Sequence, residues 1–335
     1  MTRLKRPKLP RGPEFVRGVD RARDRIAGDI IRTPLEYSAL LSLALGAHVH
    51  FKWECAQATG SFKFRGALNK LRTLRPGERR NGIVSASTGN HGLAVSRAAR
   101  IEDIALDLFL PKNAARLKVA KIRNEGVAPR FFGRSCEQTE VHARRTAESS
   151  GRVYVSPYND LDIVFGQGTI GRELLEDLPG LEIVVVPIGG GGLIAGVAGY
   201  LKARNPGVRV VGVEPAASAF MKAALAAGRL VDFPEKPTIA DAVAGGMEPG
   251  TVTFPLCRAF VDEILTVAEG DIRRAIRTIR AVHGRIVEGA GALPLAALLA
   301  HPAAFRNRRV GLVVSGGNIS PKLFREICAT GKNRL

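Results

Sequence analysis

Residues 183–201 read IVVVPIGGGGLIAGVAGYL, nineteen positions without a charge. The length would suit a membrane span, but Pro187 and six glycines inside the stretch are incompatible with one continuous helix. The segment divides instead into an apolar strand from Ile183, a loop of four glycines at 189–192 and a helix from Leu193 onward. A strand that feeds a glycine-rich loop and then a helix is the repeating unit of a parallel α/β sheet.

The same alternation continues on both sides. Between residues 81 and 157, apolar runs at 83–85, 104–110, 128–132 and 153–155 are separated by helix-like stretches at 91–100, 114–124 and 137–149. That is βαβαβαβ, a compact parallel-sheet unit. A second series puts strands at 183–186, 208–213 and 310–314, with helices at 193–204, 216–227, 272–283 and 290–299. The fold class is therefore α/β, two domains with twisted, mostly parallel sheets flanked by helices. The length of 335 residues agrees, at roughly 150 residues per domain. The boundaries read as a basic flexible arm over 1–18, a large domain over 19–81 and 158–335, and a small α/β domain over 82–157. Right-handed crossovers then direct ligand sites to the carboxyl ends of the strands, where loops lead into helices.

Composition narrows the function classes. Apolar residues at 45% and charged residues at 24% are ordinary for a folded chain and exclude disorder. Fifty Lys and Arg against thirty-one Asp and Glu give +19, a surplus that favours anionic ligands without naming one. The start carries Arg3, Lys5, Arg6, Lys8 and Arg11 with no acid and no apolar run, which excludes a secretory signal and reads as a solvated tail. No nucleic-acid motif or aromatic interleaving accompanies it, so neither a nucleic-acid nor a membrane partner is expected. Cysteines at 55, 136, 257 and 328 are widely spaced, which speaks against a zinc site or a disulfide framework. Reduced thiols and a cytoplasmic location are the expectation.

Three loops carry the chemistry. Ser87, Thr88, Gly89, Asn90 and His91 follow a strand and open a helix, where free N–H groups and the helix dipole suit a carboxylate or phosphate. The bland reading is a set of ordinary N-caps. Gly189, Gly190, Gly191 and Gly192 let backbone approach a ligand closely, and a phosphate cradle is the natural reading. The same loop also fits the dinucleotide template G-x-G-x-x-A over 190–195, with Glu214 where a ribose-binding acid would stand. Ser315, Gly316, Gly317 and Asn318 form a third polar loop after a strand. The remaining element is Lys63, flanked by Phe62 and Phe64 within TGSFKFRGA at 59–67. A lysine in such surroundings can be desolvated and its pKa lowered, which suits Schiff-base chemistry.

Taken in order, these segments resemble the fold-type II pyridoxal-phosphate enzymes, of the tryptophan synthase β-like fold. Within that group they are similar to the threonine and serine dehydratases and their serine racemase relatives. The likeness runs from about Val19 to Thr330 and rests on RTPL at 32–35, the lysine segment, STGNH at 87–91, GQGTI at 166–170 and the tetraglycine. VGVEP at 211–215, TIAD at 238–241, EGAGA at 288–292 and SGGN at 315–318 complete it. The resemblance implies pyridoxal 5′-phosphate held as a Schiff base by Lys63, with Phe62 on its ring and Asn90 on its O3′ oxygen. It implies Gly189 to Gly192 and the N–H of Leu193 on the phosphate, and Ser315 at the pyridine nitrogen. Ser87, Thr88, Gly89, Asn90 and His91 would hold the substrate carboxylate, and the freed Lys63 would act as general base. The implied reaction is β-elimination from a β-hydroxy amino acid such as L-threonine or L-serine, giving a 2-oxo acid and ammonia.

Departures from the family pattern leave alternatives. Cys55 stands where many relatives have Asn. Many relatives bind a divalent cation through the Glu of VGVEP and an Asp six positions on, but position 220 is Phe220, so no metal is expected there. Thr88 occupies the place of a racemase serine, and it is the second catalytic candidate beside Lys63. A racemase, or a dehydratase of a larger substrate such as hydroxyaspartate, phenylserine or a hydroxyectoine-pathway intermediate, is the alternative. A nicotinamide dehydrogenase explains the glycines and Glu214 but leaves Lys63 and Ser315 without roles, and a non-catalytic binding protein rests on charge alone. His91 reads as a locally satisfied residue more readily than a catalytic one, while Glu288 reads equally as a neighbour of the ring or as structural. A homodimer or homotetramer is implied by the relatives.

Overall fold

The computed structural model describes residues 9–87 and 89–329, with the side chain of Cys136 left aside. Its strands are β1 (Leu35–Tyr37), β2 (His48–Lys52), β3 (Ile83–Ala86), β4 (Leu106–Leu110), β5 (Arg130–Phe131), β6 (Val153–Tyr154), β7 (Ile183–Pro187), β8 (Arg209–Pro215), β9 (Glu263–Val267) and β10 (Arg309–Val313). Six form one sheet in the order β1-β2-β10-β7-β8-β9, parallel except for β1, which runs antiparallel to β2. The other four form the parallel sheet β5-β4-β3-β6.

β7 is buried at every position because helices cover both faces of its sheet, which explains its unbroken apolar sequence. The helix Gly192–Arg204 that follows is buried over its first ten residues. It packs on the helix Leu161–Asp177 through glycines: a Cβ on Gly168 would lie 3.0 Å from the Gly196 carbonyl. At Gly166 a Cβ would lie 2.6 Å from Gly66 Cα, in the helix Lys63–Arg72. The GQGTI segment is thus a packing device. It seats the helix that begins with Lys63 and the helix that begins behind the tetraglycine against one shared partner.

The strand and helix expectations for 81–157 hold to within a few residues. Three strands were not anticipated: β1, β2 and β9. The helix expected over 216–227 begins later, at Phe220. The arm expected over 1–18 is also corrected. A helix occupies Pro13–Ile26, with Phe15 and Val19 fully buried against the same core as β7. Amphipathic spacing in 13–26 carries the signal for this helix. Residues 1–8 lie outside the described chain. Among the described residues no helix is long and apolar enough to cross a membrane.

Candidate functional site

Each of the three loops leaves a strand at its carboxyl end, after β3, β7 and β10, and the structure brings them together. Lys63 opens its helix, and its Nζ donates to the Pro157 carbonyl at 2.8 Å. The next residue, Tyr158, packs its ring against Gly190 and its Cβ against Gly192, so a Cβ on Gly190 would overlap that ring. One dipeptide therefore joins the lysine to the tetraglycine. On the other side, the Phe62 N–H donates to the Ser315 carbonyl at 3.0 Å, and Ser61 pairs with Gly316 as an isolated bridge. Lys63 Nζ lies 5.1 Å from the Phe62 ring centroid. Its removal from water lowers the Lys63 amine to about 8, against the opposing pull of Glu288.

Two sets of donors face this cleft without partners. Among the described residues, the N–H groups of Gly189, Gly190, Gly191, Gly192 and Leu193 meet no protein acceptor. Gly191 adopts φ +83 as the cap of its helix, a left-handed conformation that glycine tolerates best. The N–H groups of Asn90 and His91, at the start of the helix Asn90–Ile101, likewise meet no acceptor among the described residues. Each set is a helix N-terminus able to take an anion. Ser315 is buried as a residue, and its hydroxyl makes no hydrogen bond to the described residues. Thr59 Oγ1 and Ser61 Oγ, in the segment leading to Lys63, are buried and have no partner among the described residues. Groups that a fold leaves unsatisfied in one cleft point to a polar ligand.

Asn90 is buried, with Nδ2 donating to Glu288 Oε1 at 2.7 Å and Oδ1 accepting from Asn318 Nδ2 at 2.7 Å. Burial pushes the Glu288 carboxyl up to about 7, while the Asn90 hydrogen bond pulls it back. Glu288, Asn318, Tyr158, Thr59 and Ser61 thus border the site; the sequence left Glu288 undecided between a neighbour of the ring and a structural residue, and gave Tyr158, Thr59 and Ser61 no individual role. Glu288 and Asn318 had a signal, since they lie in the EGAGA and SGGN segments. Tyr158 had none.

The His91 side chain is held by local partners, in keeping with the reading its sequence context favours. The His91 ring turns inward, with Nε2 3.2 Å from Ser85 Oγ and 3.0 Å from the Val155 carbonyl, and burial lowers it to about 3. Only its N–H faces the loop, so its side chain is structural. Thr88 lies outside the described residues. Ser87 Oγ accepts from the Gly89 N–H at 3.2 Å, shaping the turn. The dinucleotide alternative loses its acid. Glu214 accepts from Met221 N at 2.8 Å and Lys222 N at 2.9 Å, capping the helix Phe220–Ala227. Both of its oxygens are committed there. Cys55 is partly buried, and its desolvated thiol is raised to about 11, which makes it inert.

The profile of the family described as "Pyridoxal-phosphate dependent enzyme" matches residues 26–316. The chain is 42% identical over 300 residues to the L-threonine ammonia-lyase of Thermotoga maritima, covering 90% of this chain and 74% of that protein. It is 37% identical to the catabolic L-threonine dehydratase TdcB of Escherichia coli, covering 92% and 94% respectively. Among solved structures, maize serine racemase superposes with a TM-score of 0.87 at 33% identity, over 95% of this chain and 99% of that one.

Proposed function

Since the chain belongs to the pyridoxal-phosphate-dependent enzyme family, we propose that it is an ammonia-lyase converting L-threonine or L-serine to a 2-oxo acid and ammonia. The Cα proton and the β-hydroxyl leave as water, and one water returns to cleave the C–N bond, so amino acid balances 2-oxo acid plus ammonia. Lys63 supports this reading most directly: a desolvated amine between two turns of unpaired N–H groups.

The donor set fits the cofactor. A phosphate offers acceptors only, and the N–H groups of Gly189 to Leu193 offer donors only. Phe62 would pack on the ring, and Asn90 would give its remaining Nδ2 hydrogen to the ring oxygen. Ser315 would offer the ring nitrogen a neutral hydroxyl, unlike a carboxylate that would keep it protonated. That choice favours expulsion of the β-substituent over transamination. When bound, pyridoxal phosphate supplies an electron-withdrawing ring conjugated to the substrate nitrogen, which acidifies the Cα–H bond. Lys63, lowered to about 8, is partly neutral near pH 7 and takes that proton as general base. The N–H groups of Asn90 and His91, in the turn begun by Ser87 and Gly89, hold the substrate carboxylate.

Ammonia and 2-oxo acid release are measured with purified protein, pyridoxal phosphate and a panel of β-hydroxy amino acids. Turnover of L-threonine or L-serine is expected, and turnover of none would sink the proposal. Gly190→Ala is expected to weaken pyridoxal phosphate binding by about tenfold or more, since Tyr158 must move to admit the methyl group. An unchanged Kd in a fluorescence titration would remove the tetraglycine from the phosphate site.

The likeness to maize serine racemase favours a second reading, racemisation. Thr88 would then protonate Cα from the face opposite Lys63. D-serine formation is measured beside 2-oxo acid formation, and Thr88→Ala is expected to lose the first and keep the second. Unpaired thiols at Cys55, Cys257 and Cys328 support a cytoplasmic enzyme. A homodimer or homotetramer is proposed, to be read by light scattering.

A further inference from the structure

The helix Arg116–Asn124 lies beside the four-stranded sheet, and two of its lysines reach loops attached to the other sheet. Lys118 Nζ lies 3.1 Å from Asp241 Oδ2, and both side chains are exposed, so that contact ends in solvent. Lys121 Nζ donates to Asn318 Oδ1 at 2.9 Å, and this contact runs on into the cleft. Asn318 Nδ2 donates to the Thr59 carbonyl at 2.9 Å and to Asn90 Oδ1 at 2.7 Å, and Asn90 Nδ2 donates to Glu288 Oε1 at 2.7 Å.

Counting donors and acceptors fixes every orientation in this relay. An ammonium only donates, and a backbone carbonyl only accepts. The Asn318 oxygen must therefore face Lys121, and both Asn318 N–H hydrogens are spent on Thr59 and Asn90. Asn90 must then present its oxygen to Asn318 and one N–H to Glu288, which leaves a single N–H free to face a ligand. A reversed Asn318 would set its NH₂ against the ammonium and its oxygen against two other oxygens. Lys121 and Asn90 thus clasp Asn318 from opposite sides, and such chains polarise and stiffen one another.

We propose that Lys121 is a positioning residue which, through Asn318, holds the Asn90 amide in the one orientation that leaves an N–H for the cofactor oxygen. The inference rests on the reading of Asn90 as the partner of that oxygen. It assigns work to an exposed lysine that touches neither substrate nor cofactor.

The test compares Lys121→Ala, Lys121→Arg and Lys118→Ala in the full chain, with pyridoxal phosphate as the probe. Lys121→Ala is expected to shift the absorption band of the bound cofactor. It should also lower kcat about fivefold to tenfold with KM within about twofold, less than the roughly 100-fold that a 1 Å misplacement can cost. Lys121→Arg, which keeps a donor, restores both. Lys118→Ala removes the neighbouring cross-cleft lysine and leaves the band unchanged. Asn318→Asp, which sets a carboxylate against Asn90 Oδ1 and the Thr59 carbonyl, moves the band further than Lys121→Ala does. A Lys121→Ala band identical to that of the parent, or a Lys118→Ala band displaced equally, overturns the proposal. If the parent protein binds no pyridoxal phosphate, the functional reading fails on its own. The relay is then read from the Asn90 side-chain amide resonance of the protein alone, which Lys121→Ala must shift and Lys118→Ala must not.

Discussion

Lys63→Ala is expected to reduce ammonia release from L-threonine by about 10³-fold or more, because in the proposed mechanism one side chain supplies both covalent attachment and the general base. Borohydride reduction followed by peptide mapping should label the parent chain at Lys63, and the variant nowhere. A label at another lysine, or a variant retaining a tenth of the parent rate, would remove Lys63 from the mechanism. The lowered amine adds a pH test with a definite sign. The neutral amine is the nucleophile, so the rate at which apoprotein takes up pyridoxal phosphate should rise with pH and level off near the value of about 8 given by its burial. A rate still climbing through pH 10 would mean an ordinary solvated lysine.

The largest stability effect is expected two residues away, at Arg65. Its guanidinium is fully buried and forks onto Glu54, with Nε 2.8 Å from Oε2 and Nη2 2.9 Å from Oε1. It also meets Glu173, with Nη1 2.6 Å from Oε1. Lys52 Nζ lies 2.6 Å from Glu173 Oε2, and Thr33 Oγ1 donates to Glu54 Oε1 at 2.5 Å. Arg65 and Glu54 are fully buried, while Lys52 links Glu173 on to the part-exposed Asp177 at 3.7 Å. Arg65→Met leaves Glu54 with no ionic partner and should cost about 3–5 kcal/mol, because an uncompensated buried charge outweighs the pair's own attraction. Thermal unfolding should fall by about 10 °C. Adding Glu54→Gln removes the stranded charge and should recover part of the loss. An unchanged midpoint in the single variant, or no recovery in the double one, would mean that the pair is solvated after all.

The legible part of the molecule was the part governed by local rules. The alternation over 81–157 was readable because each strand there is short, apolar and followed by an amphipathic helix, and β3 and β4 fall where the pattern put them. β2 carries the alternating pattern HVHFK of a half-buried strand, a weaker signal over five residues than the continuous apolar run of β7. The loops were legible as loops, since glycine tracts and Ser-Thr-Asn clusters at strand ends have few uses beyond turns and anion sites. Arg65 lies within the lysine segment, but nothing local marks its role. Its partners lie 11 and 108 positions away, and no spacing rule links residues so distant.

The order of motifs along the chain sufficed to choose the family and to single out Lys63, because each segment carries its own backbone chemistry wherever the others lie. Orientation was decided in three dimensions. The fold turned the His91 ring inward and spent both Glu214 oxygens on a helix cap. It also made Glu288 and Asn318 the neighbours of Asn90. A side chain's duty in a cleft depends on which donors and acceptors remain unspent after packing, and that count exists only once the two sheets have come together.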